Sequence, residues 1–172
     1  MRLLKKSIHE SIDSLENATI IKRKASRAIV LKGEEILLLF TKRYEDYSLP
    51  GGGIDREESA ELGMIRELQE ETGSRNIRNI MPFGIYEEYR PWYKPEFDVQ
   101  HMISYCFTCE IDSELGETSY EDYEINNGMK PVWINIHEAI AHNEETIAKS
   151  EKKGMSIERE NFLLKLIVEE LL

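Results

Sequence analysis

The segment GGGIDREESAELGMIRELQEETGS, residues 51–74, joins a glycine-rich loop to a helix that carries three glutamates in its last turns. Because successive helical residues are rotated by about 100°, Glu67, Glu70 and Glu71 share one face. Carboxylates at these spacings repel one another by about 0.2–0.5 kcal/mol per pair, and the negative end of the helix dipole adds ~0.3–1 kcal/mol for each. This crowding indicates a functional site, and a divalent cation is the natural neutralising partner.

The pattern predicts that the helix covers residues 59–72, with Ser59 as its N-cap and Gly73 in the left-handed position that ends it. The apolar residues of this helix lie away from the glutamates: Met64, Ile65 and Leu68. A solvated charged surface is the ordinary interpretation of a run of glutamates. The fixed spacing, the placement against the dipole and the preceding glycine loop disfavour it here.

Composition narrows the class of protein. A chain of 172 residues is expected to form one domain over residues 1–172, and its 41% hydrophobic and 32% charged residues are typical of a soluble globular protein. The net charge of −11 disfavours binding to nucleic acid, because such binders carry basic surfaces. The first residues, MRLLKKSIHESI, lack the apolar stretch of a signal peptide, and no run approaches a membrane span. A cytoplasmic location without membrane attachment is therefore expected.

Cys106 and Cys109 form a C-x-x-C pattern inside MISYCFTCEI, which is predicted to be a strand. A redox motif of this spacing would begin a helix, and a zinc site would need a second pair of ligands. In a strand the two thiols point to opposite faces. We therefore predict two reduced structural cysteines.

The other elements follow from hydrophobic periodicity. Residues 3–16 are predicted to form a short amphipathic helix, and SRAIVLK and EILLLFTKR form two strands of a hairpin around Gly33. Further strands are predicted at IMPFGIYEEY, DVQHMISYCFTCEI and PVWINI. HEAIAHN is predicted to be a short helix, and SIERENFLLKLIVEELL a longer C-terminal helix capped by Ser156. This order indicates an α/β sandwich rather than a doubly wound sheet.

The loop and helix together resemble the Nudix box, G-x5-E-x7-R-E-U-x-E-E-x-G-U, where U is a bulky aliphatic residue. The matching positions are Gly52, Glu58, Arg66, Glu67, Leu68, Glu70, Glu71 and Gly73. Ser74 replaces the last aliphatic residue, a departure at a packing position. The resemblance covers roughly residues 25–143 and implies a Nudix-type α/β/α sandwich with a mixed central sheet, flanked by the N-terminal and C-terminal helices.

The resemblance also implies roles for the residues of the box. Glu67, Glu70 and Glu71 are expected to bind Mg²⁺ or Mn²⁺, with the Gly51 carbonyl as a possible further ligand. Arg66 is expected to hold the glutamates by charge-assisted hydrogen bonds.

The glycine loop, Gly51-Gly52-Gly53, is expected to let the backbone approach the substrate closely. Glu58 is assigned to the substrate-binding residues as well, in a supporting role.

The general base is left open by the sequence. Many family members use a glutamate outside the box, in a loop before the tryptophan strand. SYEDYEINNG offers Glu121 and Glu124, and Glu87 and Glu88 compete with them. We favour Glu124.

The implied activity is metal-dependent hydrolysis of a nucleoside diphosphate linked to another moiety. ADP-ribose-like compounds, nucleoside triphosphates, dinucleoside polyphosphates and sugar nucleotides all stay open, because fold does not determine substrate. A non-catalytic nucleotide sensor is the alternative, and an isomerase of prenyl diphosphates is a third. The terminal helices are candidates for a homodimer contact.

Several aromatic residues follow the helix: Tyr86, Tyr89, Trp92, Tyr93 and Phe97. They are able to stack on a nucleobase, which contributes roughly 1–3 kcal/mol per base. Local packing at a strand edge and in the proline-rich loop RPWYKPEF is the alternative.

Overall fold

The structure is a computed structural model that describes residues 1–172, and it contains eight strands and four helices. The strands are β1 (Leu3–Ile8), β2 (Ile20–Ile29), β3 (Leu31–Lys32), β4 (Glu35–Thr41), β5 (Asp46–Ser48), β6 (Arg78–Pro91), β7 (Val99–Glu110) and β8 (Met129–Asn135). The helices are α1 (Ala60–Thr72), α2 (Asp122–Asn127), α3 (Ile136–Lys149) and α4 (Ile157–Leu171).

The strands form two four-stranded sheets. The first has the order β1-β6-β7-β2, in which the long central pair is antiparallel and both outer strands pair in parallel. In the second, β4 pairs antiparallel with β3, β5 and β8. Adjacent residues of a strand point to opposite faces, so each sheet is able to contribute to two cores.

Two hydrophobic clusters show how the helices cover the sheets. One unites α1 with alternate positions of β2, β4 and β7: Met64, Leu68, Ala28, Val30, Leu37, Phe107 and Cys109. The other unites α3 and α4 with the intervening positions of the same strands, among them Ile29, Ile36, Leu38, Cys106, Ala139, Leu163 and Leu164. The sheets therefore lie between helices on both sides, which confirms the predicted α/β sandwich with a mixed sheet.

Several predicted elements are confirmed. Helix α1 has the side chain of Ser59 as its N-cap, and Gly73 ends it with φ 68°. A turn at Gly33 joins the short strand β3 to β4, but only Leu31 and Lys32 form the predicted hairpin, because the preceding residues belong to β2, which pairs with β7 in the other sheet. Cys106 and Cys109 are free and buried on opposite sides of β7, and burial raises the pKa of both thiols to about 12.

The predicted N-terminal helix is wrong. Residues 3–8 form the edge strand β1, which pairs in parallel with β6, and the chain from residue 9 to residue 19 runs in turns. The prediction rested on the helical spacing of four apolar residues, Leu4, Ile8, Ile12 and Leu15. This is a weak signal, and pairing with a neighbouring strand overrides it. Leu4 packs over Gly84, whose missing side chain leaves room for it.

The helices in the second half of the chain also differ in detail from the prediction. Helix α3 extends to Lys149 and is twice as long as the predicted helix, HEAIAHN. Helix α4 is confirmed, but the side chain of Ser156 makes no capping hydrogen bond. The short elements β5 and α2 were not predicted, because three-residue and six-residue segments carry little periodicity. No helix has the length and apolar character needed to cross a bilayer.

The packing of α1 predicts a large difference between two leucines of the same helix. Leu68 is fully buried, whereas Leu62 is 58% exposed. We expect Leu68→Ala to lower the free energy of unfolding by about 2–5 kcal/mol, because it removes buried methyl groups and leaves a cavity. The control Leu62→Ala should change it by about 0.5 kcal/mol or less. Urea denaturation measures both values, and equal losses would contradict the assigned faces of α1.

Candidate active site

The C-terminal end of α1 is covered by the backbone of the loop that follows β7. The Ser119 amide donates to the Glu70 carbonyl at 2.6 Å, and the Gly116 amide donates to the Gly73 carbonyl at 2.8 Å. These bonds satisfy carbonyls that a helix end leaves unpaired. They also fix the loop against the helix, and the loop leads directly into α2 beside the glutamates.

Arg66 holds the carboxylates of α1 and the glycine loop together. Its guanidinium pairs with both oxygens of Glu58 at 2.9 and 3.0 Å. It also contacts Glu67 at 2.7 Å and Glu70 at 3.3 Å, and it donates to the Gly53 carbonyl at 2.8 Å. The hydrogen bonds with Glu58 are the largest cause of the raised pKa of Arg66 and the lowered pKa of Glu58. One cation therefore bridges three glutamates and the loop.

Gly51 connects the loop to Glu71. Its amide donates to Glu71 Oε2 at 2.6 Å, and Arg27 donates to its carbonyl. The φ of Gly51 is 143°, and a Cβ at this position would strike the Ser26 carbonyl, so only glycine fits. The loop backbone is thereby attached to the helix at one side and to β2 at the other.

Gly52 also allows a close approach that a larger residue would prevent. A Cβ at this position would lie 2.6 Å from the carboxyl carbon of Glu67. The Gly52 carbonyl accepts a hydrogen bond from the Ser26 amide at 3.0 Å. Gly53, in contrast, has open space where a Cβ would be. Glycine is thus required at Gly51 by its contact with β2 and at Gly52 by its contact with α1.

Five glutamates line one cavity of about 590 Å³, here called the carboxylate cleft: Glu67, Glu70, Glu71, Glu121 and Glu124. The structure therefore brings the α1 glutamates together with both candidate bases of the SYEDYEINNG segment. The other two candidates lie elsewhere. Glu87 contacts His101, and Glu88 pairs with buried Arg159.

Glu124 is the better placed of the two candidates within the cleft. It is 6% exposed, whereas Glu121 lies on the surface. Its carboxylate accepts hydrogen bonds from the Glu121 amide at 2.7 Å and from the Tyr123 hydroxyl at 3.1 Å. The first bond is part of a capping box that begins α2. Sequence analysis placed these residues in a loop, because glutamate is not a usual N-cap residue and E-x-x-E is therefore not a standard capping signal.

The electrostatics of the cleft show strain between like charges. Burial raises the pKa of Glu67 and raises that of Glu71 well above its ordinary value. The hydrogen bond from Arg66 opposes the pKa shift of Glu67, and the hydrogen bond from the Gly51 amide opposes that of Glu71. The nearby charge of Glu124 raises both pKa values further.

The donor set fits a divalent cation by its chemistry. Mg²⁺ prefers carboxylate oxygens, and a cation between buried carboxylates relieves both burial and repulsion. Nowhere in the chain do three His, Cys, Asp or Glu side chains converge as a ready ligand set. Arg66 lies between Glu67 and Glu70, and Glu71 accepts from Gly51. A three-carboxylate ligand set therefore needs local side-chain movement.

Two residues of the box have structural contacts. Glu58 does not line the carboxylate cleft and instead braces Arg66 and the Asp55 amide. Ser74 is buried, and its hydroxyl lies 2.6 Å from that of Thr72, which donates to the Leu68 carbonyl. The departure from the aliphatic position is thus accommodated by a short hydrogen-bond chain.

A second cavity of about 650 Å³ adjoins the carboxylate cleft, and sequence analysis missed it. We call it the basic cavity, after five cationic residues in its lining: Arg23, Lys24, Arg27, Arg90 and Lys153. Trp92 and Tyr93 also line it, whereas Tyr86 packs on Phe162 and Tyr89 stacks on His101. The five cations come from three distant parts of the chain, so no local motif marks them.

A buried charged cluster joins α4 to the glycine loop. Arg159 forms ion pairs with Glu88 and with Glu160, and its Nη2 atom lies 2.6 Å from Glu160 Oε1. Glu160 is fully buried and accepts a hydrogen bond from the Leu49 amide at 2.9 Å. Charged residues at apolar positions of a helix are the one sequence signal for this cluster. The C-terminal helix thereby contacts the segment that leads into Gly51.

Together, the two-sheet sandwich and the glutamate-bearing helix that follows a glycine loop define a Nudix-type α/β domain. A family model described as "NUDIX domain" matches residues 22–155, and the chain belongs to this family. The resemblance inferred from the box is confirmed. The matched range includes all five glutamates of the carboxylate cleft.

Similar proteins include phosphohydrolases from distant organisms. Mouse diphosphoinositol polyphosphate phosphohydrolase 3-alpha is 30% identical over 110 residues, which are 62% of this chain and 58% of the relative. A putative 8-oxo-dGTP diphosphatase of Bacillus subtilis is 36% identical over 76 residues, 44% of this chain and 46% of the relative. The chain thus spans about half the length of the curated relatives that it matches.

A solved structure supports the fold. The crystal structure of a MutT NUDIX hydrolase from Burkholderia pseudomallei has a TM-score of 0.51 and 18% sequence identity. The alignment covers 68% of this chain and 85% of that chain.

The buried carboxyl of Asp46 predicts a pH-dependent stability. Burial, followed by the negative charge of Glu160, raises its pKa from 3.8 to about 6. The folded state therefore holds this proton more tightly than the unfolded state, so ionisation of Asp46 costs stability as pH rises through 6. We expect Asp46→Asn to raise the free energy of unfolding by about 1–3 kcal/mol near pH 7.5, and to leave it almost unchanged near pH 4.

Urea denaturation of the two proteins at both pH values measures this difference. An equal effect of the substitution at the two pH values would show that the Asp46 carboxyl does not titrate in the expected range.

Proposed function

We propose that the protein is a metal-dependent pyrophosphohydrolase that cleaves the phosphoanhydride bond of a nucleoside diphosphate linked to another moiety. The observation that carries the proposal is the carboxylate cleft, in which Glu67, Glu70, Glu71 and Glu124 line one cavity beside the glycine loop. Membership of the Nudix family and the names of the two curated relatives support the same class of reaction.

Glu67, Glu70 and Glu71 would hold Mg²⁺ or Mn²⁺, because they offer carboxylate oxygens on one rigid helical surface. When bound, such an ion neutralises the diphosphate, polarises phosphorus and lowers the pKa of a coordinated water. Arg66 then keeps Glu67 and Glu70 oriented through charge-assisted hydrogen bonds. The Gly51 carbonyl is engaged by Arg27, so its role as a further ligand stays a prediction.

Glu124 is our choice for the general base. It is buried in the cleft, and its charge acts on both Glu67 and Glu71. The Glu121 amide and the Tyr123 hydroxyl fix the position of its carboxylate. A base held in this way is able to accept a proton from an attacking water, which contributes typically 10²–10⁴-fold to a rate.

Substrate hydrolysis is tested with a panel of diphosphate compounds. We expect Mg²⁺ or Mn²⁺ to support hydrolysis of a phosphoanhydride bond in at least one of ADP-ribose, a nucleoside triphosphate, a sugar nucleotide, a dinucleoside polyphosphate and a diphosphoinositol polyphosphate. Chromatography identifies the products, and excess EDTA should abolish turnover because the cleft would lose its neutralising ion. Tight binding of one compound without any turnover would favour the non-catalytic sensor.

The glutamates of α1 are tested by removing one charge at a time. Glu70→Gln and Glu71→Gln should each lower kcat by about 10²-fold or more, because each removes a preorganised charge from the site. Glu61→Gln is the matched control, since Glu61 is exposed in the first turn of the same helix. Steady-state kinetics and circular dichroism measure activity and folding. Full activity in either cleft variant would contradict the assignment of these ligands.

A further inference from the structure

We infer that the basic cavity binds phosphate groups of the substrate beyond the scissile diphosphate, so that the favoured substrate is a polyphosphorylated small molecule. The inference rests on the proposed function, since it assigns the part of the substrate that extends away from the carboxylate cleft. It narrows the open list of diphosphate compounds to those with additional phosphate groups.

The two cavities are continuous. Arg23, Gly53, Glu71 and Glu124 line both the carboxylate cleft and the basic cavity. A compound whose diphosphate lies against the α1 glutamates therefore has its remaining part in, or directly next to, the basic cavity.

The sign of the charge reverses from one cavity to the other. The carboxylate cleft is lined by six carboxylates (Asp55 and the five glutamates) and two arginines. The basic cavity is lined by five cations and three carboxylates: Asp46, Glu71 and Glu124. In a chain with a net charge of −11, this local excess of positive charge stands out. A metal ion in the cleft would neutralise the scissile diphosphate, so the five cations are available for other anionic groups.

Most of these cations lack a carboxylate partner inside the protein. Arg23, Lys24, Arg27 and Lys153 form no ion pair with any carboxylate, and Arg90 is 3.8 Å from its nearest one. The Nε atom of Arg27 is buried without a hydrogen-bond acceptor. A buried donor without an acceptor is unfavourable, and a phosphate oxygen is a strong, charge-assisted acceptor for a guanidinium.

Repulsion among the arginines supports the same conclusion. The pKa of Arg90 is lowered, first by burial and then by the positive charges of Arg159, Arg27 and Arg23, against the attraction of Glu88. Phosphate groups among these side chains would replace mutual repulsion with attraction.

A nucleobase is the competing occupant, and the aromatic residues favour it less. The ring of Trp92 is 4.4 Å from that of Tyr93, and the guanidinium of Arg23 lies over it at 5.8 Å. Stacking on Trp92 would have to displace at least one of these contacts. The ring of Tyr93 is 76% exposed, but the ammonium of Lys94 lies over it at 5.4 Å. Both rings are thus already in contact with cations, whereas four cations of the basic cavity have no carboxylate partner.

Binding of inositol hexakisphosphate tests the inference, because this probe carries many phosphate groups but no phosphoanhydride bond to cleave. Isothermal titration calorimetry in EDTA compares the wild-type protein with Arg23→Gln/Lys24→Gln and with the control Lys22→Gln. Lys22 is exposed on the same strand but does not line the basic cavity. Circular dichroism checks that all three proteins are folded.

We expect the wild type and Lys22→Gln to bind alike, and the double variant to bind about tenfold more weakly or worse, because it loses charge-assisted hydrogen bonds to phosphate. Failure of the wild type to bind, or equal weakening in Lys22→Gln, would overturn the inference. So would binding of adenosine monophosphate in the same cavity, seen as quenched Trp92 fluorescence, that the probe does not compete away.

The binding experiment and the substrate panel separate the two proposals. Turnover of a diphosphate compound without binding of the probe overturns only the phosphate assignment of the basic cavity. Binding of the probe without turnover of any compound counts against the pyrophosphohydrolase and leaves a polyphosphate-binding cavity.

Discussion

The contacts of Arg66 are the constraint on which the candidate site depends. A helix that ends in Glu67, Glu70 and Glu71 concentrates negative charge where its own dipole is already negative. Arg66 offsets part of this charge and at the same time attaches the helix to Glu58 and to the Gly53 carbonyl. The loop and the glutamates therefore keep a fixed relation, because the same guanidinium binds both.

The rest of the site is arranged around this fixed helix. The loop after β7 satisfies the carbonyls at the end of α1, and it leads into α2, which brings Glu124 into the cleft. On the opposite side, Gly51 links Glu71 to β2, the strand that also carries Arg23 and Arg27. Hydrogen bonds to loop backbone thus set the spacing between the acidic and the basic parts of the groove, since Glu71 and Arg27 both bond to Gly51. Groups that are already held in place lose little conformational freedom when a ligand binds, which favours a preorganised site.

Features that depend on nearby residues could be predicted from the sequence. The caps of α1, the turn at Gly33 and the opposite faces of Cys106 and Cys109 each follow from local spacing. The predicted N-terminal helix was wrong because the spacing of four apolar residues does not reveal a strand partner found more than 70 residues away. Glu67, Glu70 and Glu71 could be named because the box encodes them in one segment, whereas Glu124 was chosen from several open candidates outside it. The basic cavity and the Arg159 cluster were missed because their members meet only after folding.

The contact between Glu160 and the Leu49 amide has a practical consequence for choosing where the domain ends. The family match stops at residue 155, yet α4 begins at Ile157 and buries Arg159 and Glu160 beneath the glycine loop. A version trimmed to the matched range would remove Arg159 from buried Glu88 and would delete Leu163 and Leu164 from the core. Fragment design and crystallisation should therefore retain this last helix, which supports the segment that leads into the glycine loop.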